Sequence, residues 1–344
     1  MPGTVSFHTD LLDSHCIVDV RTPLEYAEDH LPGAVNVPIL TNEERVEVGT
    51  LYKQVGPQPA RQRGLELACG RFGAMVAEIA AHAGGRPVLV YCWRGGLRSR
   101  SMAILLEMSG YPVVRLLGGY KAFRAVVTGY FDRFSPPAPM IVLHGMTGIG
   151  KTDLINRLDP AVWSTIDLEG LACHRGSAFG QLGLGGQPEQ KRFDTLLWDA
   201  FRRLPSGRPI VLEGESQRIG RLSLPGNLYQ VMSESRKVWC HASIATRVNR
   251  LAAEYARREY FDDMAAALER IRKKLGGERY AELRGYLEAW EMERLITGLI
   301  DYYYDRLYYK HRHWMPDVEI DVEEYAAAEG LLLRFWQEQT GIGG

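Results

Sequence analysis

Two short runs of residues in this sequence have the types and spacing needed for chemistry on anions. In the first, VLVYCWRGGLRSRS, Cys92 follows an apolar stretch and precedes a helical pattern over 99–108. A loop in that position turns its backbone N–H groups inward, and the following helix adds the positive end of its dipole. Arg94 and Arg98 add formal charge, with five residues (Trp93 to Leu97) between Cys92 and Arg98. Such surroundings lower a thiol pKa and hold a tetrahedral anion over the sulfur. Two glycines among three arginines argue against a merely structural cysteine.

The second run, GMTGIGKT, spans residues 145–152 and fits G-x-x-x-x-G-K-[ST] in its required place, after a strand and before a helix. Gly145, Gly148 and Gly150, with Thr147 among them, let backbone N–H groups approach phosphate oxygens. Lys151 supplies a point charge, and the Thr152 hydroxyl is of the kind that ligates Mg²⁺. Downstream, an apolar run over 209–213 ends in carboxylates, where an acid that organises a metal is expected: Glu213 first, Glu215 second. A structural role for either is an equal alternative, and Asp167 is a third acid. No metal site is fixed by these residues. Between them, DLEGLACHRGSAFG is punctuated by glycine and too rich in small residues for a core. His174 and Arg175 there suit phosphate or substrate, and for the histidine a packing role stays open. No base-recognition pattern for adenine or guanine follows, so a diphosphate other than a nucleotide also fits.

Parallel strands must carry both loops. Short β-type runs at 16–20, 87–91 and 113–116 alternate with helical stretches such as 60–82, and the pattern repeats at 140–144, 163–167, 209–213 and 237–241. Strands alternating with helices predict an α/β fold with parallel sheets, formed twice. Between the two sets, FSPPAP at 134–139 holds three prolines in four positions, which neither a helix nor a sheet interior tolerates. The expected division is therefore a first domain over 1–133, a linker over 134–139, a phosphate-loop domain over 140–243 and a helical extension with an acidic tail over 244–344. Ile244, Val248, Leu251 and Tyr255 mark the apolar face that opens the extension.

The length of 344 residues suits about two domains. With 46% apolar and 24% charged residues the chain is ordinary globular protein, which excludes disorder or a disulfide scaffold. Lys and Arg number 41 against 42 Asp and Glu, which excludes holding nucleic acid by bulk charge alone. The balance is local, however: residues 236–314 carry 16 basic and 12 acidic groups, and 315–344 carry 1 and 7. Arg247, Arg250, Arg257, Arg258, Arg270, Arg272, Lys273 and Lys274 are thus candidates to neutralise nucleic-acid phosphates, the alternative being a solvated face. The tyrosines of 302–309 either stack on unpaired bases or, the commoner use, pack helices. Five scattered cysteines without metal-ligand spacing point to free thiols in a reducing, cytoplasmic setting, with Cys16, Cys69, Cys173 and Cys240 expected as small buried hydrophobes. No apolar run approaches a membrane span, and MPGTVSFHTD lacks the features of a signal peptide.

The cysteine loop, with DVRTPLE at 19–25 and HLPGAVNVP at 30–38 before it, resembles the rhodanese (sulfurtransferase) family over about residues 12–130. That resemblance implies a persulfide-type cysteine, with Asp19 and Arg21 bracing the loop and His30 in a structural turn. Simple sulfurtransferases usually have a loop one residue shorter; the longer one is shared with arsenate- and phosphate-handling relatives, including phosphatases, and suits a bulkier anion. The order CWRGGLRS, GMTGIGKT, DLEGLACHRGSAFG, LEGESQRIG resembles the tRNA 2-selenouridine synthase family over about residues 12–310. This implies replacement of the 2-thio group of a wobble uridine in tRNA by selenium, through an S-geranyl intermediate. Selenophosphate and geranyl diphosphate are the implied co-substrates, with no tightly bound cofactor, and tRNA and a selenophosphate-supplying enzyme are the implied partners. Cys92 would take the selenium as a perselenide, with Arg94 and Arg98 on the phosphate, and the phosphate loop would hold the prenyl diphosphate. Two alternatives remain at this level: a Cys-x5-Arg phosphatase or sulfurtransferase fused to a kinase, and a sensor that only binds anions. An intact Cys92 weighs against the sensor.

Overall fold

The computed structural model describes residues 2–311 and 314–340, with all their side chains except those of 309–311 and 340. The chain forms two compact units: residues up to Asp132 together with Glu189–Asp199, and Arg133–Pro188 together with the residues from Ala200 onward.

The first unit is built on a five-stranded parallel sheet in the order Gly3–Val5, Val113–Leu116, Val88–Tyr91, Cys16–Asp19, Val35–Asn36. Two of the three inner runs, VLVY and CIVD, are buried at every position, as expected of strands covered on both faces. Val18, Val90, Ile79, Met102 and Leu106 share one core. Thr22 and Glu25 form a capping box that starts Pro23–Glu28, and Thr41 and Glu44 form another that starts Asn42–Gln54. Residues 189–199 belong here because Trp198 packs on Phe123 with ring centroids 5.4 Å apart, and Thr195 donates to the buried Asp29 carboxylate at 2.8 Å. Nothing in the sequence around the linker signals that return of the chain.

The second unit carries another parallel sheet, in the order Val318–Asp321, Arg236–His241, Met140–His144, Ile210–Glu213, Ser164–Ile166. Its edge strand comes from the acidic tail, which the sequence reading left as part of a helical extension. The alternation in VEID explains it: Ile320 is buried while Glu319 and Asp321 face solvent and keep the edge charged. Val322, Ala328, Leu332 and Phe335 continue the tail into the core of the sheet. The long helical stretch from Ile244 is therefore the crossover between two parallel strands, and it has a core of its own around Leu251, Leu268, Leu283, Leu295 and Ile300. Tyr303 and Tyr304 lie in that core, so these two tyrosines pack helices, whereas the side chain of Tyr309 lies outside the described residues. Among the described residues, no helix is long and apolar enough to cross a membrane.

Candidate functional site

Cys92 stands immediately after Val88–Tyr91, and the helix Leu97–Met108 opens five residues later. The loop between them is shaped by glycine. A Cβ on Gly119 would lie 2.2 Å from the Cys92 carbonyl oxygen and 2.5 Å from the Gly95 nitrogen, so only a glycine lets the two backbones meet there. That approach lets the Tyr120 and Lys121 N–H groups donate to the carbonyls of Cys92 and Trp93 at 2.9 and 3.0 Å. With those carbonyls tied down, the N–H groups of Trp93 to Leu97 bond to no acceptor among the described residues. Free N–H groups at a helix start, beside a thiol, form an anion cradle. The Cys92 sulfur is 3.3 Å from the Ser99 hydroxyl and lines a cavity of about 940 Å³.

Arg94 and Arg98 both line this cavity, but they are placed differently. Arg98 is held in a two-pronged pair by Glu25 at 2.5 and 3.1 Å, whereas Arg94 is exposed and has no acid partner among the described residues. Burial alone would raise the Glu25 pKa, but Arg98 and the Thr22 N–H together hold it below the usual range. Asp19 and Arg21 lie outside the cavity in a sealed cage. Their ion pair is 2.6 Å long and at most 1% exposed, Arg21 donates to the Asp29 carbonyl at 2.6 Å, and its guanidinium lies 4.0 Å over the Tyr120 ring. Both brace the loop rather than meet a ligand. His30 stacks on Tyr26 at 3.9 Å, and burial pushes its pKa down to about 4.

The phosphate loop follows Met140–His144 and opens the helix Lys151–Ile155. Gly148 and Gly150 have positive φ, and a Cβ on Gly148 would meet Leu251 at 2.8 Å. Gly145 packs against the Cys240 carbonyl. Lys151 donates to the Gly145 carbonyl at 3.1 Å. Burial would lower its pKa, but Tyr308, Glu215 and Glu169 overcome this and raise it, so the ammonium stays charged. A cavity of about 520 Å³ over the loop is lined by Thr147 to Thr152, Asp167, Glu169, Arg175, Glu215, Arg250 and Tyr308, among others.

Glu169 is the principal residue that the sequence reading missed. Thr152 donates to its carboxylate at 2.9 Å, and Glu169 also bonds to Glu215. Its signal in the sequence lies two positions after Asp167 in the same DLEG run, where Asp167 is the acid at the strand end. In the structure Asp167 caps the helix Leu168–Ala172 through the Gly170 N–H at 2.6 Å. Glu215 is pushed up to about 8, first by burial and then by Glu169. Glu213 lies away from the cavity, is fully buried, accepts the Leu168 N–H at 2.9 Å and is raised well above the carboxylate range by burial. His174 is buried outside the lining residues, with its pKa lowered by burial and by Arg175. Arg175 pairs with Glu254 and donates to the Leu182 carbonyl.

The eight basic residues of the helical stretch separate into two groups. Arg247, 3% exposed, donates to the Thr147 carbonyl at 2.9 Å and pairs with Asp305 at 2.6 Å; Arg250 donates to the carbonyls of Ile149 and Val322. Both hold the phosphate loop from behind. Arg257, Arg258, Arg270, Arg272, Lys273 and Lys274 are exposed, with Arg272 paired to Glu269 and Arg258 lying over the Trp290 ring. Of the other cysteines, Cys16 and Cys240 are buried as expected. Cys69 is exposed at the end of a helix, and Cys173 is half-buried in the wall of the phosphate cavity.

The residues around the phosphate loop fit a divalent ion of the Mg²⁺ kind, which takes one or two carboxylates and completes its shell from phosphate and water. The Thr152 hydroxyl and Glu169 supply oxygens, and no group of three or more metal-binding side chains competes among the described residues.

A parallel-sheet unit that presents a cysteine in an anion cradle, on one chain with a phosphate-loop unit, defines a group-transfer enzyme of the rhodanese and P-loop kind. Residues 5–126 match the family model of the rhodanese-like domain, and residues 138–328 match that of the tRNA 2-selenouridine synthase AAA domain. The tRNA 2-selenouridine synthase of Bordetella petrii is 37% identical over 323 residues, covering 87% of this chain and 82% of that protein. The Cupriavidus necator protein of the same name is 36% identical over 343 residues, covering 94% and 89%. The chain belongs to the tRNA 2-selenouridine synthase family.

Proposed function

We propose that this enzyme is a transferase that replaces the 2-thio sulfur of a tRNA uridine with selenium, using geranyl diphosphate and selenophosphate. The observation that carries the reading is the presence of two separately built anion sites on one chain, a thiol cradle and a diphosphate-sized loop cavity. A thiocarbonyl sulfur leaves poorly, and alkylation makes it a better leaving group. The uridine sulfur attacks the first carbon of the geranyl group, the carbon–oxygen bond to diphosphate breaks, and the base loses its N–H proton. Lys151 and the loop N–H groups stabilise the departing pyrophosphate. Mg²⁺, held by Thr152 and Glu169, would add further positive charge on those oxygens. Selenium then bonds to the ring carbon and geranylthiol leaves; where it comes directly from selenophosphate, water takes the phosphoryl group as the selenium–phosphorus bond breaks, with that phosphate held by Arg94 and the N–H groups of the Cys92 loop.

Delivery of selenium through a perselenide on Cys92 forms a sulfur–selenium bond and leaves the electron pair of the selenium–phosphorus bond on phosphorus. The phosphorus product of that route is phosphite, and a thiol reductant must then break the sulfur–selenium bond as the selenium passes to the ring carbon. The test is nucleoside mass spectrometry of bulk tRNA incubated with both donors. Cys92→Ser is expected to abolish selenation and spare geranylation, and Lys151→Ala to lower geranylation at least tenfold. The reverse pattern would overturn this division of labour.

A further inference from the structure

The cavity above Cys92 holds about 940 Å³, far more than one tetrahedral anion fills, and one wall of it is the helix Asn42–Gln54. The charge on that wall is unbalanced. Of the acids nearby, Glu25 is committed to Arg98, Glu44 to Arg71 and Glu47 to Arg63, while Glu43 sits in the first turn of the helix, outside the cavity lining. Arg45, Lys53 and Arg94 line the cavity, are exposed, and make no ion pair among the described residues. Arg45, Gly49 and Lys53 follow one another at i, i+4 and i+8, so they form one stripe that places the two cations about 12 Å apart along the axis. Gly49 keeps that stripe low, since a Cβ there would meet the Arg45 guanidinium at 2.6 Å. Between and beside the cations, large apolar side chains are left in water: Val46 is 69% exposed, Tyr52 61% and Leu97 51%.

Unpaired cations interleaved with an exposed aromatic ring, around a reactive thiol, match the chemistry of an unstacked RNA strand: phosphates outside, base faces inside. We propose that the helix Asn42–Gln54 forms the docking edge for a single-stranded segment of RNA at the mouth of the Cys92 cavity. Arg45 and Lys53 take the phosphates flanking the reacting nucleotide, Arg94 stays with the donor phosphate, and Tyr52 packs against a base. The proposal rests on the reading above that tRNA is the substrate. It places RNA contact on the first unit, whereas the basic composition of residues 236–314 pointed to the second.

The experiment uses the full chain with bulk tRNA and, as comparison, a blunt RNA duplex without loops. Affinity is measured over a salt series, and alkylation of Cys92 by iodoacetamide is followed on its own peptide. Bulk tRNA is expected to protect Cys92, and the duplex is not. The double variant Arg45→Ala/Lys53→Ala is expected to bind bulk tRNA at least about tenfold more weakly, with the slope of log affinity against log salt shallower by about 1.4, the loss of two single-strand phosphate contacts. Tyr52→Ala is expected to weaken binding about tenfold without changing the slope. An unchanged rate of Cys92 alkylation without RNA shows that the variants keep the fold, and Arg45→Lys/Lys53→Arg, which preserves the charge, restores binding. Unaltered affinity and slope in the double variant, or equal protection by the duplex, overturns the proposal. Modified nucleosides formed without protection of Cys92 would sink the docking edge alone. Protection with no modified nucleoside formed would sink the transferase reading alone.

Discussion

At the scale of single residues, the side chains proposed to do chemistry and those that hold them in place are close together in sequence but differ sharply in burial. Cys92 and Arg94 open onto a cavity, while Asp19 and Arg21, part of the same set of motifs, are sealed away from it. The residue types at Cys92, Lys151 and Thr152 were readable because their chemistry depends on local spacing. Glu25, Glu169, Asp305 and Tyr308 were not, because each acts on a partner distant in sequence: Glu25 and Arg98 are 73 positions apart. His30 gives a test at this scale. Its folded pKa is depressed to about 4 from 6.5, so the neutral ring is the form that the fold favours. The corresponding stability is fully present above about pH 6.5 and is lost as pH falls towards 4, because the unfolded chain takes up the proton first. Melting temperatures recorded between pH 7 and 4 should fall less steeply in His30→Phe, which keeps the ring beside Tyr26, than in the parent. Parallel slopes would contradict the burial argument.

At the scale of elements, each site is a loop after a parallel strand, held from behind by a second element. The cysteine loop leans on the start of Gly119–Asp132, and the phosphate loop leans on Ile244–Tyr255. Gly119→Ala introduces a Cβ into the Cys92 carbonyl at a φ of +60°, which should cost more than about 2 kcal/mol and lower the stability of the first unit. A crystal structure of the variant should show the Cys92 loop displaced; an unmoved loop would refute the close-approach argument. Asp305→Ala leaves Arg247 buried without its acid, at a cost of about 3 kcal/mol. Since Arg247 holds the Thr147 carbonyl, pyrophosphate binding measured by calorimetry should weaken as well, and unchanged affinity would mean that the brace is not needed. The strands and loops were legible from hydrophobic runs and glycine spacing. The edge strand Val318–Asp321 was not, because a four-residue acidic alternation is a weak signal until its partner strand is known.

At the scale of the whole molecule, near-neutral charge proves uninformative about nucleic acid because pairing, not composition, decides which cations are free. Arg247 and Arg250 belong to a basic segment yet serve the phosphate loop, while Arg45, Lys53 and Arg94 stand unpaired in a unit whose composition gave no hint of it. The α/β architecture and the two candidate anion-binding loops were legible in the sequence, since each loop announces itself by a strand–loop–helix motif. The return of Glu189–Asp199 to the first unit was not, since it depends on Trp198 and Thr195 finding partners far along the chain. We propose that one chain uses both sites in sequence on the same uridine. The most direct measurement supplies the purified enzyme with bulk tRNA and first geranyl diphosphate, then selenophosphate, and follows the nucleosides by mass spectrometry. Geranylthiouridine is expected after the first addition, and its conversion to selenouridine after the second. Hydrolysis of phosphate esters with neither nucleoside formed would contradict it.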